Sequence, residues 1–182
     1  DQLLKLFHGA VYENRFGTVA IRREGDVFEA TTFRTEHDYA DFRRPHRVEF
    51  GTDVIADLAR RDFTVNAIAW GREAAGDGPN DLVDPFDGIG DLGRHLLRAV
   101  GDPEARFRED ALRMVRAVRL AAALEFDIEP ETLEAIRANA GLVAHLSGER
   151  IGTELEKLLA APRPSIGLRL AEETGLLAVI AP

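Results

Sequence analysis

The stretch Pro103-Glu104-Ala105-Arg106-Phe107-Arg108-Glu109-Asp110-Ala111-Leu112-Arg113-Met114-Val115-Arg116-Ala117-Val118-Arg119-Leu120-Ala121-Ala122-Ala123-Leu124 decides the fold. Phe107, Leu112, Val115, Val118 and Leu120 fall near helical spacing, which predicts a helical segment ending around Leu124. Downstream, residues 130–138, 141–146, 149–160 and 165–174 read as further helices. Ser147-Gly148-Glu149 and Ala161-Pro162-Arg163-Pro164 punctuate them. Upstream the pattern differs. Residues 2–7 read as the end of a short helix, and residues 18–22 and 27–33 as strands joined by a Gly25-Asp26 hairpin turn. Residues 34–51 are polar, carry arginines and histidines around Pro45 and show no helical period, so they read as a mobile loop. A helix is expected to start near Thr52 or Asp53, both good N-caps. Residues 65–70 are apolar and ambiguous between helix and strand. Residues 71–81 form a loop, and Leu82-Val83 a short strand. The expected fold class is therefore α+β, with an α/β part over residues 1–100 and a helical part over 101–182.

Composition bounds the function. The chain has 182 residues, 45% hydrophobic and 30% charged, with 32 acidic against 23 basic residues and a formal charge of −9. That is the profile of a folded protein, and it excludes blanket coating of nucleic acid or anionic membrane as the main task. A local basic site stays compatible with it. There are no cysteines, which excludes disulfide scaffolds, zinc ribbons and cysteine nucleophiles. No apolar run reaches membrane-spanning length and no secretory signal opens the chain. Lys5 and Lys157 are the only lysines; the other basic residues are arginines, whose planar forks suit phosphates and base edges. The five histidines (His8, His37, His46, His95, His145) form no zincin spacing, and the sequence holds no Walker A, Gly-x-Ser-x-Gly or Gly-x-Gly-x-x-Gly motif.

Three constellations remain. In Arg60-Arg61-Asp62-Phe63-Thr64-Val65-Asn66-Ala67, two arginines suit a polyanion and the Asp and Asn suit a sugar hydroxyl. The competing reading is a solvated Arg pair at a helix end with Asp62 capping the next turn, and composition alone favours it. In the second, Asp110 and Arg113 stand three apart, predicting one shared helix face that Arg116 and Arg119 extend. As a surface ion pair this is worth only about 0.2–0.5 kcal/mol. Facing a pocket, it would present an acceptor beside a donor fork. Cytosine and adenine offer an amine donor next to a ring acceptor; uracil and guanine place a carbonyl against the carboxylate and are rejected. The third, Asp84-Pro85-Phe86-Asp87-Gly88-Ile89-Gly90-Asp91-Leu92, lacks the EF-hand Glu and reads as turns and a helix cap rather than a metal loop.

In this order, the motifs resemble those of class II tRNA nucleotidyltransferases, the CCA-adding enzymes, and their bacterial poly(A) polymerase relatives. Residues 60–67 match the family's Arg-Arg-Asp-x-x-x-Asn-Ala and residues 109–113 its Glu-Asp-x-x-Arg. Residues 84–92 resemble the hinge motif between head and neck. Gly148-Glu149-Arg150-Ile151 to Glu154-Leu155 resembles the neck motif. The resemblance implies a partial polymerase β-type nucleotidyltransferase head with a mixed or antiparallel sheet, followed by an all-α neck. It implies untemplated addition of C and A to the tRNA 3′ end from CTP and ATP with Mg²⁺; the expected cytoplasmic address is the one that fits the absence of cysteine. It implies that Asp110 and Arg113, with Arg116 nearby, read the incoming base, and that Arg61, Asp62 and Asn66 sit at the ribose and phosphates. Glu29 resembles a third metal carboxylate; an outward-facing strand residue is the equal alternative.

The family's Gly-Gly-x-Val-Arg-Asp and Asp-x-Asp metal motif is not in this sequence. The resemblance places it immediately upstream of Asp1, and a tRNA-binding body and tail beyond Pro182, so this chain alone is expected not to catalyse. Poly(A) polymerase is the nearest alternative. Phe16-Gly17-Thr18-Val19 resembles the CCA-adding version of the early strand better. Asp41-Phe42-Arg43-Arg44-Pro45 resembles the flexible loop that permits the switch to A addition, which CC-adding members tend to lack. A noncatalytic nucleotide- or RNA-binding module is the alternative from a different class.

Overall fold

The computed structural model describes residues 2–12, 18–40, 44–71 and 81–181; for residues 2, 36–40, 44–48 and 81 it describes the backbone alone. The chain is α+β. Short helix α1 (Gln2–Leu6) precedes the antiparallel sheet β1-β2-β3 (Val11–Tyr12, Val19–Arg23, Asp26–Ala30). The β2–β3 register pairs Arg23 with Asp26, so the turn residues are Glu24 and Gly25, one position earlier than the sequence pattern indicates. Both have positive φ (56° and 94°), as a right-twisted two-residue hairpin turn requires.

Residues 34–51 depart from the expected loop. Residues 34–40 and 44–50 pair as the antiparallel strands β4 (Arg34–Ala40) and β5 (Arg44–Phe50), registered from Arg34↔Phe50 to Ala40↔Arg44. The ladder is built from backbone groups, which pair whatever the side chains are. A two-stranded ribbon with little apolar alternation therefore leaves no periodic trace, and β5 takes in Pro45 opposite Tyr39 of β4. Asp41 and Arg43, assigned to the flexible loop, lie outside the described residues, as do Phe16, Gly17 and the Arg44 side chain.

Helix α2 (Val54–Ala59) starts where local chemistry dictates: the Asp53 carboxylate accepts from the Ile55 and Ala56 N–H groups at 2.9 and 3.3 Å. The ambiguous segment 65–70 resolves into a 3-10 turn, Thr64–Asn66, and strand β6 (Ala69–Gly71), which pairs with β7 (Asp81–Val83). Helix α3 (Gly88–Arg94) is capped from outside by the Asp84 carboxylate, which accepts from the Gly88 and Ile89 N–H groups at 2.7 and 2.9 Å. The three aspartates of this loop thus serve the turn, the cap and an ion-pair cluster. A β-carbon on Gly88 would stand 2.2 Å from the Thr64 carbonyl oxygen and 2.9 Å from Ile68 Cγ1. Gly88→Ala is accordingly expected to destabilise the fold by about 2–3 kcal/mol through a backbone clash. A urea melt measures it, and an unchanged midpoint would refute the close approach.

The helical part holds α4 (Pro103–Glu109), α5 (Leu112–Leu124), α6 (Pro130–Asn139), α7 (Gly148–Leu159), α8 (Pro164–Glu173) and α9 (Leu176–Ile180), with a 3-10 stretch at Ala140–His145. It is not purely α: β9 (Asp127–Ile128) pairs in parallel with β8 (Leu96–Leu97). The main core joins both parts, since Phe63 and Leu97 are buried with Phe107, Met114, Val115, Val118, Ile136 and Leu158. Buried side chains cover so much of α5 because it lies at the centre, against α7 and α8. Close approach of α8 to α5 depends on Gly167, where a β-carbon would meet the Val118 carbonyl oxygen at 2.7 Å. Among the described residues no helix is long and apolar enough to cross a membrane.

Candidate functional site

The expected helix through Asp110 is broken. Asp110 is extended (φ −146°, ψ 105°) and ends α4. Its Oδ1 accepts the Leu112 N–H at 3.1 Å, opening α5. An aspartate offers the backbone this local alternative to a continuing helix. A continuous apolar period cannot register the break, because both helices use the same side of the pattern.

As a result Asp110 and Arg113 do not form the expected pair. Asp110 Oδ2 receives Arg150 Nη2, from the first turn of α7, at 2.7 Å. Arg113 turns inward and is 9% exposed. Its Nη1 donates to the Glu109 carboxylate at 2.6 Å and to the Arg106 carbonyl at 3.1 Å, and its Nη2 to the Arg60 carbonyl at 3.1 Å. It thereby satisfies a carbonyl in the last turn of α4 and ties α5 to the turn after α2. Three of its five N–H groups are used in this way, and two remain.

Arg116, one turn further along α5, reaches Asp62, donating from Nε at 2.9 Å and from Nη2 at 2.5 Å. Asp62 is 8% exposed. It also accepts from the Phe63 N–H at 2.9 Å and Asn66 Nδ2 at 3.1 Å. Strand-like backbone bonds hold it in place: Val100 N–H to the Asp62 carbonyl at 3.1 Å and Thr64 N–H to the Arg98 carbonyl at 2.9 Å. Burial pushes the Asp62 carboxyl up. The Arg116 charge and hydrogen bonds, with Asn66 and the Phe63 N–H, more than offset this and hold it below the ordinary aspartate range. For Arg116, burial acts against its charge, but Asp62 first and then Glu154 and Asp110 raise its affinity for the proton. Glu154, on α7 and 4% exposed, accepts Arg119 Nε at 2.5 Å and lies 4.0 Å from Arg116.

The structure thus brings Asp62, Asn66, Arg116, Asp110, Arg150 and Glu154 into one charged cluster between the turn after α2 and helices α5 and α7. Arg61, just past the end of α2, instead bonds Asp57 of that helix at 2.9 Å, and its buried Nε has no partner. Glu29 is exposed on β3, opposite Ala20. Arg150 and Glu154 are members that sequence reasoning did not single out as site residues, and Arg119, which holds Glu154, is a third residue of this kind. The signal for Arg150 and Glu154 was their place in the stretch Gly148 to Leu155 that resembles the neck motif.

Three His, Cys, Asp or Glu side chains placed to hold a metal ion do not occur among the described residues. The buried carboxylates face cations instead: Asp57 takes Arg60 and Arg61, Asp62 takes Arg116, and Asp91 takes Arg94 and Arg98. These residues do not fit a Mg²⁺ pair.

The chain matches two family models: the poly A polymerase head domain over residues 2–98, and the probable RNA and SrmB-binding site of polymerase A over residues 125–182. It is similar to the CCA-adding enzyme of Geobacillus thermodenitrificans, 46% identical over 177 residues, which is 97% of this chain and 42% of the relative. It is also similar to that of Lactobacillus gasseri, 48% identical over 162 residues, 89% of this chain and 39% of the relative. Among solved structures it resembles the Bacillus stearothermophilus CCA-adding enzyme in complex with CTP, with TM-score 0.83, 41% identity and coverage of 98% of this chain and 42% of that one. The chain spans about two fifths of the length of the curated relatives it matches. With the head-domain model matching more than half of its residues, the chain belongs to the poly(A) polymerase head-domain family, that of the class II tRNA nucleotidyltransferases and CCA-adding enzymes.

Proposed function

We propose that this chain is the nucleotide-selecting part of an enzyme that adds C and A to the tRNA 3′ end, using CTP and ATP without a nucleic-acid template. The observation that carries the reading is the Asp62–Arg116 pair, which seats the Arg-Arg-Asp-x-x-x-Asn-Ala turn against the helix that follows Asp110. In this reading residues 1–100 form the head and 101–182 the neck. Asp62 accepts from a ribose hydroxyl in place of the Asn66 amide, whose bond at 3.1 Å is given up because the four acceptor sites of the carboxylate are otherwise filled; Asn66 stays beside it, and Arg61 meets the phosphates. Asp110 accepts the exocyclic amine of cytosine or adenine, and the two remaining Arg113 donors meet the ring acceptors; Arg116 keeps Asp62 ionised. Such a site stabilises C and A by matched hydrogen bonds and leaves U or G with a carbonyl against a carboxylate. Mg²⁺ is the family's expected cofactor, and the cytoplasm the expected compartment. The described residues of this chain bind and orient the nucleotide, and its metal chemistry has no ligand set among them.

The test is incorporation of labelled CTP and ATP into tRNA lacking its terminal CCA, in Mg²⁺ buffer, by the protein expressed from its complete reading frame. Addition of C and A with rejection of UTP and GTP is expected. Long A tracts from ATP alone would give the poly(A) polymerase reading, and no incorporation would defeat both. The 182 residues alone are expected to bind CTP without incorporating it; incorporation by them would defeat the assignment of a selecting part.

A further inference from the structure

We propose that Thr132, in the first turn of α6, is a positioning residue for Asp62, and through it a determinant of how firmly the sugar of the nucleotide is held. The inference rests on the ribose contact assigned to Asp62 above. Residues 95–100 connect α3 to the helical part and are bonded on both sides. On one side the Thr64 N–H donates to the Arg98 carbonyl at 2.9 Å and the Val100 N–H to the Asp62 carbonyl at 3.1 Å, with Phe63 bridged to Ala99 between them. On the other side the Asp127 N–H donates to the His95 carbonyl at 2.9 Å and the Glu129 N–H to the Leu97 carbonyl at 3.0 Å. The seat of Asp62 is thus one edge of a ladder whose other edge is the segment leading into α6.

That outer edge stops where Pro130 opens α6, because the chain turns into a helix and proline has no N–H. Ala99 and Phe63 form a non-hydrogen-bonded pair, so the Ala99 N–H points away from Phe63 and toward α6. No backbone carbonyl follows there to receive it. Thr132 Oγ1 accepts it instead, at 3.1 Å. Thr132 and Ala99 are 0% and 1% exposed, so water cannot replace the hydroxyl and an unpaired N–H would be costly. Thr132 is itself fixed, since the Glu129 carboxylate accepts its N–H at 2.7 Å. One side-chain hydroxyl therefore closes the ladder at the residue standing between the two bonds that seat Asp62. The base readers are held by other groups: Asp110 by the Leu112 N–H and Arg150, and Arg113 by Glu109 and the Arg106 carbonyl, with one bond to the Arg60 carbonyl. Loss of the hydroxyl should accordingly act on the sugar contact more than on the base.

The experiment is calorimetric titration of the chain with CTP, UTP and dideoxy-CTP, which lacks both ribose hydroxyls, for the parent sequence, Thr132→Val and Thr132→Ser, alongside thermal melts. The parent is expected to prefer CTP over dideoxy-CTP. Thr132→Val keeps the shape and removes the acceptor. It is expected to lower the CTP-to-dideoxy-CTP affinity ratio about fivefold or more, by displacing the Asp62 carboxylate, and to change the CTP-to-UTP ratio less. Thr132→Ser, which keeps the hydroxyl, is expected to retain most of the parent's ratio. Should Thr132→Val not fold, amide hydrogen exchange of the parent decides: at equal occupancy, CTP is expected to slow exchange at Ala99 more than dideoxy-CTP does, and equal slowing overturns the proposal. An unchanged CTP-to-dideoxy-CTP ratio in a folded Val variant overturns it while leaving the ribose contact of Asp62 intact. Equal losses for both nucleotides, in step with the melting temperature, assign Thr132 to the fold alone and overturn it too. A parent chain that binds CTP no better than dideoxy-CTP overturns the ribose contact, and this proposal with it.

Discussion

Asp62→Ala is expected to lower the unfolding free energy by about 3 kcal/mol, measured by urea melts at pH 7. Removing one partner of a buried ion pair strands the other, at about 3–5 kcal/mol. The lower end applies because the Arg116 side chain is one-third exposed and water relieves part of its charge. The loss extends beyond Arg116, since the Phe63 N–H and Asn66 Nδ2 lose their acceptor as well. Asp62→Asn retains an acceptor oxygen without the charge, so about half the cost is expected. In the proposed reading the Ala variant also loses a ribose contact, weakening CTP binding about tenfold or more. A melt midpoint unchanged in the Ala variant would refute the pair's structural role.

The pH dependence follows from the same pair. Burial raises the Asp62 carboxyl and Arg116 lowers it further still, leaving the folded value below the unfolded one, near 3.8. A depressed carboxylate contributes stability that is complete above the unfolded value and is lost as pH falls through the folded one. Asp57 and Asp91 carry the same sign: burial raises each, and their arginine partners with Arg34 N–H or Thr64 more than offset it. Stability is therefore expected to hold from neutral pH to about pH 4 and to fall below it. The gap between parent and Asp62→Asn should close over that same acidic range. A gap that widened on acidification would contradict the sign.

Arg113→Ala is expected to reduce the preference for CTP over UTP by about 10- to 100-fold, the worth of one to two charge-assisted hydrogen bonds. The substitution also strips the Arg60 and Arg106 carbonyls of a donor. Glu109 keeps Arg106 at 2.7 Å, so no buried carboxylate is left without a cation and the variant is expected to fold. Titration with both nucleotides decides the matter. If UTP is rejected as strongly by the variant as by the parent, Arg113 is a strut between α4, α5 and the turn after α2, and base reading lies elsewhere.

What was legible in the sequence follows the range of the interaction. The start of α2 near Thr52 or Asp53 and a helix cap within residues 84–92 were readable because the bonds span two to five residues; that Asp53 and Asp84 supply them is what the structure adds. The hairpin Arg34–Phe50 was not, because backbone pairing leaves no side-chain period. The break at Asp110 was not, because an aspartate within a helical pattern fits a cap and an ion pair equally well. Arg116 was readable as a member of a basic stripe, yet its partner Asp62 stands 54 positions away, and the Asp110–Arg150 contact spans 40.

The amino-acid order alone determined the α+β class, the change to helices after Pro103 and, through its ordered motifs, the family. Apolar periods, caps and turn residues act over a few positions, and each carries its own signal. Only the tertiary structure decided which cation each carboxylate meets over long range: Arg150 for Asp110, Arg116 for Asp62 and Arg119 for Glu154. Any of the many arginines satisfies an aspartate chemically. The choice is made by packing of α5 against α7 and by the strand-like seat of residues 62–64 against 98–100, because burial leaves each carboxylate only the partner that the fold brings within reach.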